Sequence, residues 1–415
     1  MLRVALLLTV LYGAPALAQT PEPTGPRAVA ARTIVWDTQR SRRYARTRWR
    51  VFFLTQSVVF AALAAFALTG ASAALRRIIG ERIASALLAD AIYYIVCLIL
   101  LAILLAPFSF YSDYVVEHRF GLSNETVGRW ATDGLKSLAV TEVLFVPILI
   151  LFYGLLRRSP ERWWIWFSAA SVPIVVLLLV VAPVVIDPLF NRFRPLPDGP
   201  LKTRLLDMAA REGIVADDVF EVDKSKQTNK ANAYVTGLFG SKRIVLWDTL
   251  LTEFTPREVE AVMAHEMAHY VKRHVWWGVG VAVLTVTALS VIIARWAPLA
   301  VALLVKTGIL RVQEAASLPI VAALAMFLLF LISPLTSAAS RHMERSADRF
   351  ALEVTGDGPA VAGAFGTLAA INLADPDPPK LLVFWFYSHP PITERIREAE
   401  AYGLRQPLSR TGPAL

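Results

Sequence analysis

The stretch VMAHEMAH, residues 262–269, contains an HExxH motif around which the rest of the chain can be interpreted. The residues before it predict that a helix begins immediately upstream. Thr255 is a favourable N-cap, Pro256 suits the first helical position, and Glu258 lies where it completes a capping box. The motif is therefore expected to lie on a helix that starts at Pro256.

The two histidines of the motif have a spacing that suits a metal site. His265 and His269 are four residues apart and so share one face of the predicted helix. Two neutral imidazoles at this spacing can occupy adjacent corners of a zinc tetrahedron, leaving corners for a third ligand and a water. Glu266 would lie beside the metal and accept a proton from that water. The alternative is a pair of structural histidines, because HExxH also arises by chance.

The composition is typical of a polytopic membrane protein. Hydrophobic residues make up 56% of the 415 residues, whereas charged residues make up only 18%. The net charge is +9, but the arginines cluster at the ends of apolar segments, at 40–50, 76–77 and 157–158, as membrane topology requires. No nucleic-acid-binding motif accompanies them, so we expect no nucleic-acid partner. The single cysteine, Cys97, excludes an intrachain disulfide and is expected to be a small packed side chain.

Six apolar segments are each close to the roughly 20 residues that a membrane-spanning helix needs. They lie at about 51–75, 83–108, 138–156, 163–186, 276–294 and 318–336. A further apolar run at 298–304 is too short to span a membrane and is interpreted as a loop or a re-entrant piece.

The N-terminus admits two interpretations. Residues 1–18 contain one basic residue, an apolar run and an A-x-A site, which is the pattern of a cleaved signal peptide. Residues 19–50 are interpreted as a loop-like arm, rich in proline and then in arginine. Cleavage would leave this arm outside the cell, against the positive-inside rule. A retained first membrane helix at 1–18 would place it inside, and the charge argument favours that alternative.

The long polar region 187–275 is expected to be the globular part of the chain. An amphipathic helix is predicted at 202–211, and short β-rich runs follow at 219–222, 231–236 and 243–247. Turn glycines at 237 and 240 predict that the last two runs form a hairpin. An exposed edge strand there could bind an extended peptide through main-chain hydrogen bonds.

A third metal ligand is available on a helix predicted to follow the sixth apolar segment. Glu344 and Asp348 are four residues apart and share a face of that helix. The carboxylate of Glu344 could be the third metal ligand. Asp348 would then not bind the metal but would orient one of the histidines. The alternative is a solvated charged helix, since arginines are interspersed with the acids. The nearest other histidine, His274, lacks the spacing of the extended HExxH motif with a third histidine, and we expect a structural or supporting role for it.

Seven motifs, in this order, resemble the type I CAAX prenyl protease family of integral-membrane zinc endopeptidases. They are EHRFG (117–121), DPLFN (187–191), NAY (232–234), RIVLWDTL (243–250), HEMAH (265–269), SRxxExxxD (340–348) and SHPP followed by ER (388–395). Most are weak separately, but their order is specific, and the match covers most of the chain.

The resemblance implies roles for residues outside the HExxH motif. Glu344 would be the third ligand of one zinc ion per chain. His389 and Arg395 would face the substrate backbone or the developing oxyanion, and both side chains are suitable hydrogen-bond donors for that task. The substrate-aligning edge strand would contain Asn232, Ala233 and Tyr234.

The expected fold is mainly α: a polytopic membrane protein with six or seven transmembrane helices around a chamber and a small α+β zinc-protease region. The resemblance implies seven helices, with 1–18 as the first, and a site that opens toward the cytosol. The expected parts are 1–18; the arm 19–50; a four-helix membrane region 51–186 with a polar loop at 109–137; the zinc-protease region 187–275; a two-helix membrane region 276–337; and a C-terminal region 338–415 with the third ligand and the SHPP segment.

We interpret the chain as a membrane-embedded zinc metalloendopeptidase of the CAAX prenyl protease type. Its expected partners are membrane lipids and peptide or protein substrates, including lipidated or membrane-bound ones. One alternative within the enzyme class is a quality-control protease that degrades damaged membrane proteins. A second alternative, from a different class, is a non-catalytic membrane scaffold or transporter, which would need neither Glu266 nor a complete ligand set.

Overall fold

The structure is a computed structural model that describes residues 36–237, 242–303 and 305–405. Within these residues six helices are long and apolar enough to cross a membrane. They are Thr38–Leu68, Ala86–Arg119, Val127–Arg158, Trp163–Phe190, His274–Ala302 and Ala315–Thr355. The expectation of a polytopic, mainly helical membrane protein is therefore confirmed. The expectations for residues 1–18, and for the first part of the arm, lie outside the described residues.

The first helix begins earlier than the apolar pattern indicates. It runs over Thr38–Leu68, so residues 38–50 are helical rather than loop-like as expected. The side chain of Asp37 accepts a hydrogen bond from the backbone N–H of Arg40 at 2.9 Å and caps this end. The arginines that suggested a loop have good helix propensity, and they extend the helix beyond its apolar part.

The first apolar segment, 51–75, was predicted to be one continuous helix, but the structure divides it into two. The chain turns at Gly70, whose φ of 75° lies in the left-handed region. A Cβ on Gly70 would lie 2.8 Å from the backbone oxygen of Thr307, so this turn packs closely against the opposite loop. A separate helix, Ala71–Arg82, follows.

The run 298–304 is mostly helical and is not the loop or re-entrant piece that its short apolar pattern predicted. Helix His274–Ala302 continues through Pro298. A proline is tolerated inside a membrane helix when neighbouring groups satisfy the backbone that it disrupts. The long spans also contain π-helical turns, at Phe110–Val116 and Ala182–Ile186.

The α+β region contains a four-stranded sheet with the strand order β1-β2-β4-β3. The strands are β1 Phe193–Pro195, β2 Ala216–Val222, β3 Ala233–Thr236 and β4 Lys242–Trp247. β2 and β4 are parallel, whereas β3 and β4 form an antiparallel hairpin. β3 is therefore an edge strand, and the turn of its hairpin, 238–241, lies outside the described residues.

One core joins this sheet to the helices that carry the motifs. It contains buried residues of the sheet, of the HExxH helix (Pro256–Val271), of the Glu344 helix (Leu318–Thr355) and of the Arg395 helix (Ile392–Arg405). The other α-helices of the region are Pro200–Arg211, Asp248–Glu253, Gly358–Ile371 and Lys380–Phe386. Helices that begin 47 and 121 residues after the end of the HExxH helix, at Leu318 and Ile392, thus pack around it together with the sheet.

Candidate metal centre

The HExxH helix begins at the residue that the sequence predicts. The side-chain oxygen of Thr255 accepts a hydrogen bond from the backbone N–H of Glu258, and Oε2 of Glu258 accepts one from the backbone N–H of Thr255 at 2.8 Å. This reciprocal capping box satisfies two N–H groups at the helix start. It fixes the start of the helix, and thereby which face the histidines occupy.

The structure brings His265, His269 and Glu344 together. Nε2 of His265 lies 3.3 Å from Nε2 of His269. The Glu344 carboxylate approaches both rings, with 3.2 Å from Oε2 to Nε2 of His265 and 3.6 Å from Oε1 to Nε2 of His269. One ligand atom from each residue lies within 4.8 Å of the others.

These three side chains fit a metal ion chemically. Glu344 is only 6% exposed, and its Oε2 atom makes no hydrogen bond within the described part of the chain. Buried carboxylate oxygens are normally paired, so an unbonded one that lies 3.2 Å from Nε2 of His265 suits a cation shared with that ring. Burial lowers the pKa of His269 to about 3, which keeps this imidazole neutral, the form that ligates a metal. Two imidazoles and one carboxylate form a common donor set for catalytic zinc.

Small residues allow the HExxH helix and the Glu344 helix to approach closely enough for this cluster. The two helices pack directly against each other. Ala264 and Ala268 of the first and Ala347 and Ala351 of the second are completely buried in the shared core. Larger side chains at these positions would separate the helices and with them the ligand atoms.

Asp348 and Arg395 lie behind His265. Oδ1 of Asp348 is 2.9 Å from Nδ1 of His265, on the side of the ring that faces away from Glu344. Both Asp348 oxygens accept hydrogen bonds from the Arg395 guanidinium, which lies 4.0 Å from the centroid of the Phe365 ring. Burial opposes the charge of Arg395, but Asp348 raises the pKa of the guanidinium. The pair is thus an ionic support for one histidine.

Glu266 has the environment of a proton-transfer group. It is half-buried on the HExxH helix, and burial raises the pKa of its carboxyl to about 7. A carboxyl with a pKa near neutrality can both accept and return a proton at physiological pH.

His389 also reaches the cluster, although 40 residues or more separate it from every other member. Its Nε2 lies 3.2 Å from Oε2 of Glu344, and its side chain is 52% exposed. Arg341 holds the preceding segment by donating hydrogen bonds to the carbonyl oxygens of Val383, in the helix Lys380–Phe386, and of Tyr387, which follows it. His389 therefore presents a ring to the open side of the cluster.

The residues Asn232, Ala233 and Tyr234 lie at and within the edge strand, as the hairpin prediction implies. The carbonyl of Asn232 accepts a hydrogen bond from the backbone N–H of Trp247 at 3.1 Å, and Ala233 pairs with Leu246. β3 also packs against the HExxH helix. The edge strand therefore lies against the helix that carries His265 and His269.

Two further residues, His274 and Glu117, make contacts that the sequence did not predict. Nδ1 of His274 is 3.2 Å from Nδ1 of His269, and a spacing of five residues was the only available signal. The stretch 109–137 is not the polar loop that was expected, because it is helical up to Arg119 and again from Val127. Glu117, near the end of the second span, contributes a buried carboxylate. Oε2 of Glu117 lies 2.7 Å from Nζ of Lys230, just before the edge strand.

Comparisons with protein families agree with this architecture. The model for the CAAX prenyl protease N-terminal domain, with five membrane helices, matches residues 18–192. The model for peptidase family M48 matches residues 195–402. The chain belongs to the CAAX prenyl protease family. It is thus a membrane-embedded metalloprotease, which excludes the scaffold or transporter alternative.

Individual members of the CAAX prenyl protease family show the extent of the similarity. An uncharacterized metalloprotease of Bacillus subtilis, YhfN, is 36% identical over 288 residues, which cover 69% of this chain and 68% of that protein. CAAX prenyl protease 1 of Saccharomyces cerevisiae is 42% identical over 171 residues, or 41% of this chain and 38% of that one. The crystal structure of S. mikatae Ste24p superposes with a TM-score of 0.79 at 26% identity, covering 89% and 93% of the two chains.

Proposed function

We propose that His265, His269 and Glu344 bind one zinc ion and that this centre hydrolyses peptide bonds. The observation that carries the proposal is the convergence of three donor atoms within 4.8 Å, drawn from two helices that are distant in sequence. The unbonded Oε2 of Glu344 supports it. Zinc bound there would supply Lewis-acid activation of water and of the scissile carbonyl.

Glu266 is the proton carrier in this proposal. Its carboxylate accepts the proton of the attacking water and delivers it to the leaving amine. Its pKa of about 7 suits both transfers, because the group can be carboxylate before the attack and carboxylic acid after it.

The neighbouring residues position the substrate and stabilise charge. Asp348, held by Arg395, fixes the orientation of the His265 ring. The exposed ring of His389 is the hydrogen-bond donor proposed for the developing oxyanion. Arg395, which the family resemblance assigned to the same task, is instead buried behind His265, where its guanidinium donates to both oxygens of Asp348. Asn232, Ala233 and Tyr234 form the edge to which the substrate backbone adds as an extended strand, so main-chain hydrogen bonds align the scissile bond.

The charge pattern supports an active site that faces the cytoplasm. The arginine-rich end of the first helix lies at the metal-centre end of the molecule, since the Trp49 ring is 6.1 Å from the ring of Tyr387, two residues before His389. Positive residues concentrate on the cytoplasmic side of membrane proteins. Substrates would then be peptides or proteins presented at that surface, including lipidated and membrane-bound ones, with membrane lipids and not nucleic acids as the other partners.

The test combines metal analysis with cleavage. The purified full-length protein should contain one zinc per chain by plasma mass spectrometry and should cleave an internally quenched peptide, with loss of cleavage on chelation and recovery with zinc. Membrane-fraction peptides from cells with the active protein and with Glu266→Gln would then identify the substrates. A protein that cleaves at full rate after complete zinc removal would contradict the proposal.

A further inference from the structure

We propose that a cleft at the start of the first membrane helix is a binding site for an anionic phospholipid. The cleft has a volume of about 750 Å³. One wall is the polar end of helix Thr38–Leu68. The other is the segment 375–382, which includes the first residues of the short helix Lys380–Phe386. It does not include any residue of the metal centre.

Three arginines give the cleft its positive wall. Arg42, Arg46 and Arg50 follow one another at intervals of four residues, so they share one face of the helix. All three are exposed, and no carboxylate oxygen of a described residue lies within 4.0 Å of their guanidinium nitrogens. Asp375 and Asp377 on the opposite wall offset only part of this charge. The cleft therefore retains a positive excess with unpaired guanidinium groups.

The opposite wall lies at the level of the membrane boundary. Nε1 of Trp385 donates a hydrogen bond to the backbone oxygen of Phe330 at 2.8 Å, and the Trp385 carbonyl accepts one from Oγ of Ser337. Both partners belong to the last membrane span. The same short helix leaves Leu381 68% and Phe384 52% exposed, as expected of side chains that face acyl chains.

The two halves of the cleft together match a phospholipid better than a soluble anion. Guanidinium groups bind phosphate through paired, charge-assisted hydrogen bonds. Trp49, Phe53 and Leu382 line the apolar half, at the point where the first helix becomes apolar. A free phosphate would use only the cationic half, whereas a lipid headgroup with its acyl chains would use both.

The cleft is connected to the proposed active site. The Trp49 ring centroid is 5.3 Å from that of Phe386 and 6.1 Å from that of Tyr387. Tyr387 precedes Ser388 and His389, so a lipid that orders the Trp49 wall also holds the loop of His389. This consequence rests on the proposed role of His389, and we expect anionic lipid to raise the rate of peptide cleavage.

The binding test uses full-length protein in nanodiscs or detergent and does not depend on activity. Native mass spectrometry would count phosphatidylglycerol and phosphatidylcholine molecules retained by the wild-type protein, by Arg42→Gln/Arg46→Gln/Arg50→Gln, and by a control with two other exposed membrane-end arginines changed, Arg158→Gln/Arg162→Gln. We expect the triple variant to bind phosphatidylglycerol at least about tenfold more weakly, with the control unchanged.

Several outcomes separate this proposal from the alternatives. Equal loss of phosphatidylglycerol in both variants would overturn it, as would retention in the triple variant. Displacement of the lipid by inorganic phosphate alone would show an anion site without lipid specificity and would also overturn it. The inactive Glu266→Gln variant should bind phosphatidylglycerol like the wild type, so a failure of the proposed peptidase mechanism would not alter the result.

Discussion

Oδ1 of Asp348 lies 2.9 Å from Nδ1 of His265. This contact fixes the orientation of the His265 ring: Nδ1 faces Asp348, and Nε2 on the other side is directed at Glu344. Because Arg395 donates to both oxygens of Asp348, the orientation of one candidate ligand depends on a helix that begins 127 residues after it. The C-terminal helix is therefore part of the metal centre's support.

Replacing Asp348 by Asn should weaken metal binding without unfolding the protein. The amide keeps the shape but loses the charge that orients His265 and pairs with Arg395, and such supporting groups are worth about 10- to 100-fold in metal affinity. Competition with a fluorescent chelator would measure the zinc affinity. The control is Glu353→Gln, an exposed acid on the same helix. An equal loss of zinc affinity in the control would show that the loss comes from removing any negative charge on this helix and not from the contact between Asp348 and His265.

Glu266→Gln should retain zinc and lose peptide cleavage. The amide cannot accept the proton of the attacking water, and general-base catalysis contributes about 10²- to 10⁴-fold to the rate. Cleavage of a quenched peptide and zinc content would be measured on the same preparation. Turnover at the wild-type rate with one zinc bound would remove Glu266 from the mechanism.

Glu344→Ala should lower zinc occupancy. Without the carboxylate, the two imidazoles would be the only protein ligands, whereas catalytic zinc sites usually have three. Zinc content after dialysis against a weak chelator is the readout. The matched control is Glu394→Ala. It removes a carboxylate of the Arg395 helix that pairs with Arg345, the residue next to Glu344. Full occupancy in Glu344→Ala would assign the third ligand to another residue.

The parts of the site that sequence predicts are those with local signals. The HExxH helix starts where Thr255, Pro256 and Glu258 indicate, because capping depends on fixed offsets along the chain. Helical periodicity places Glu344 and Asp348 on one face, but it left a solvated charged helix as the alternative, and the family resemblance supplied the prediction that Glu344 is the third ligand. Residues whose roles depend on contacts with segments far away in the sequence have no comparable local pattern. The role of Glu117 depends on Lys230, 113 residues away, and the break at Gly70 depends on the approach of Thr307.

The pair Glu117 and Lys230 should stabilise the approach to the edge strand. Glu117 is buried, its Oε2 lies 2.7 Å from Nζ of Lys230, and its Oε1 accepts a hydrogen bond from Tyr44. Glu117→Gln should destabilise the protein by about 2 kcal/mol, because it leaves the partly buried Lys230 ammonium without its carboxylate.

The double variant Glu117→Gln/Lys230→Met provides the control for this prediction. It removes both charges, so most of the lost stability should return. Thermal unfolding in detergent would measure the two variants and the wild type under identical conditions. If the double variant is less stable than Glu117→Gln alone, the pair does not act as a unit and the prediction fails.

Gly358 fixes the distance between the helix Gly358–Ile371 and the Arg395 helix. A Cβ at Gly358 would lie 2.6 Å from both the backbone oxygen of Ala399 and the backbone nitrogen of Gly403. Backbone atoms cannot yield as a flexible side chain can, so Gly358→Ala should push the Arg395 helix outward. We expect a loss of about 1–3 kcal/mol of stability, together with weaker zinc binding as Arg395 moves away from Asp348.

Gly366 on the same helix provides the matched control, since a Cβ there would meet no atom within 4 Å. Gly366→Ala should be neutral or stabilising by about 0.5–1 kcal/mol, because alanine restricts the unfolded chain more than glycine does. Thermal unfolding and zinc affinity of both variants would be compared with the wild type. Equal behaviour of the two alanine variants would mean that the close helix crossing at Gly358 does not position Arg395. A selective loss of zinc affinity in Gly358→Ala would instead show that the metal centre depends on this crossing, since neither residue touches a proposed ligand.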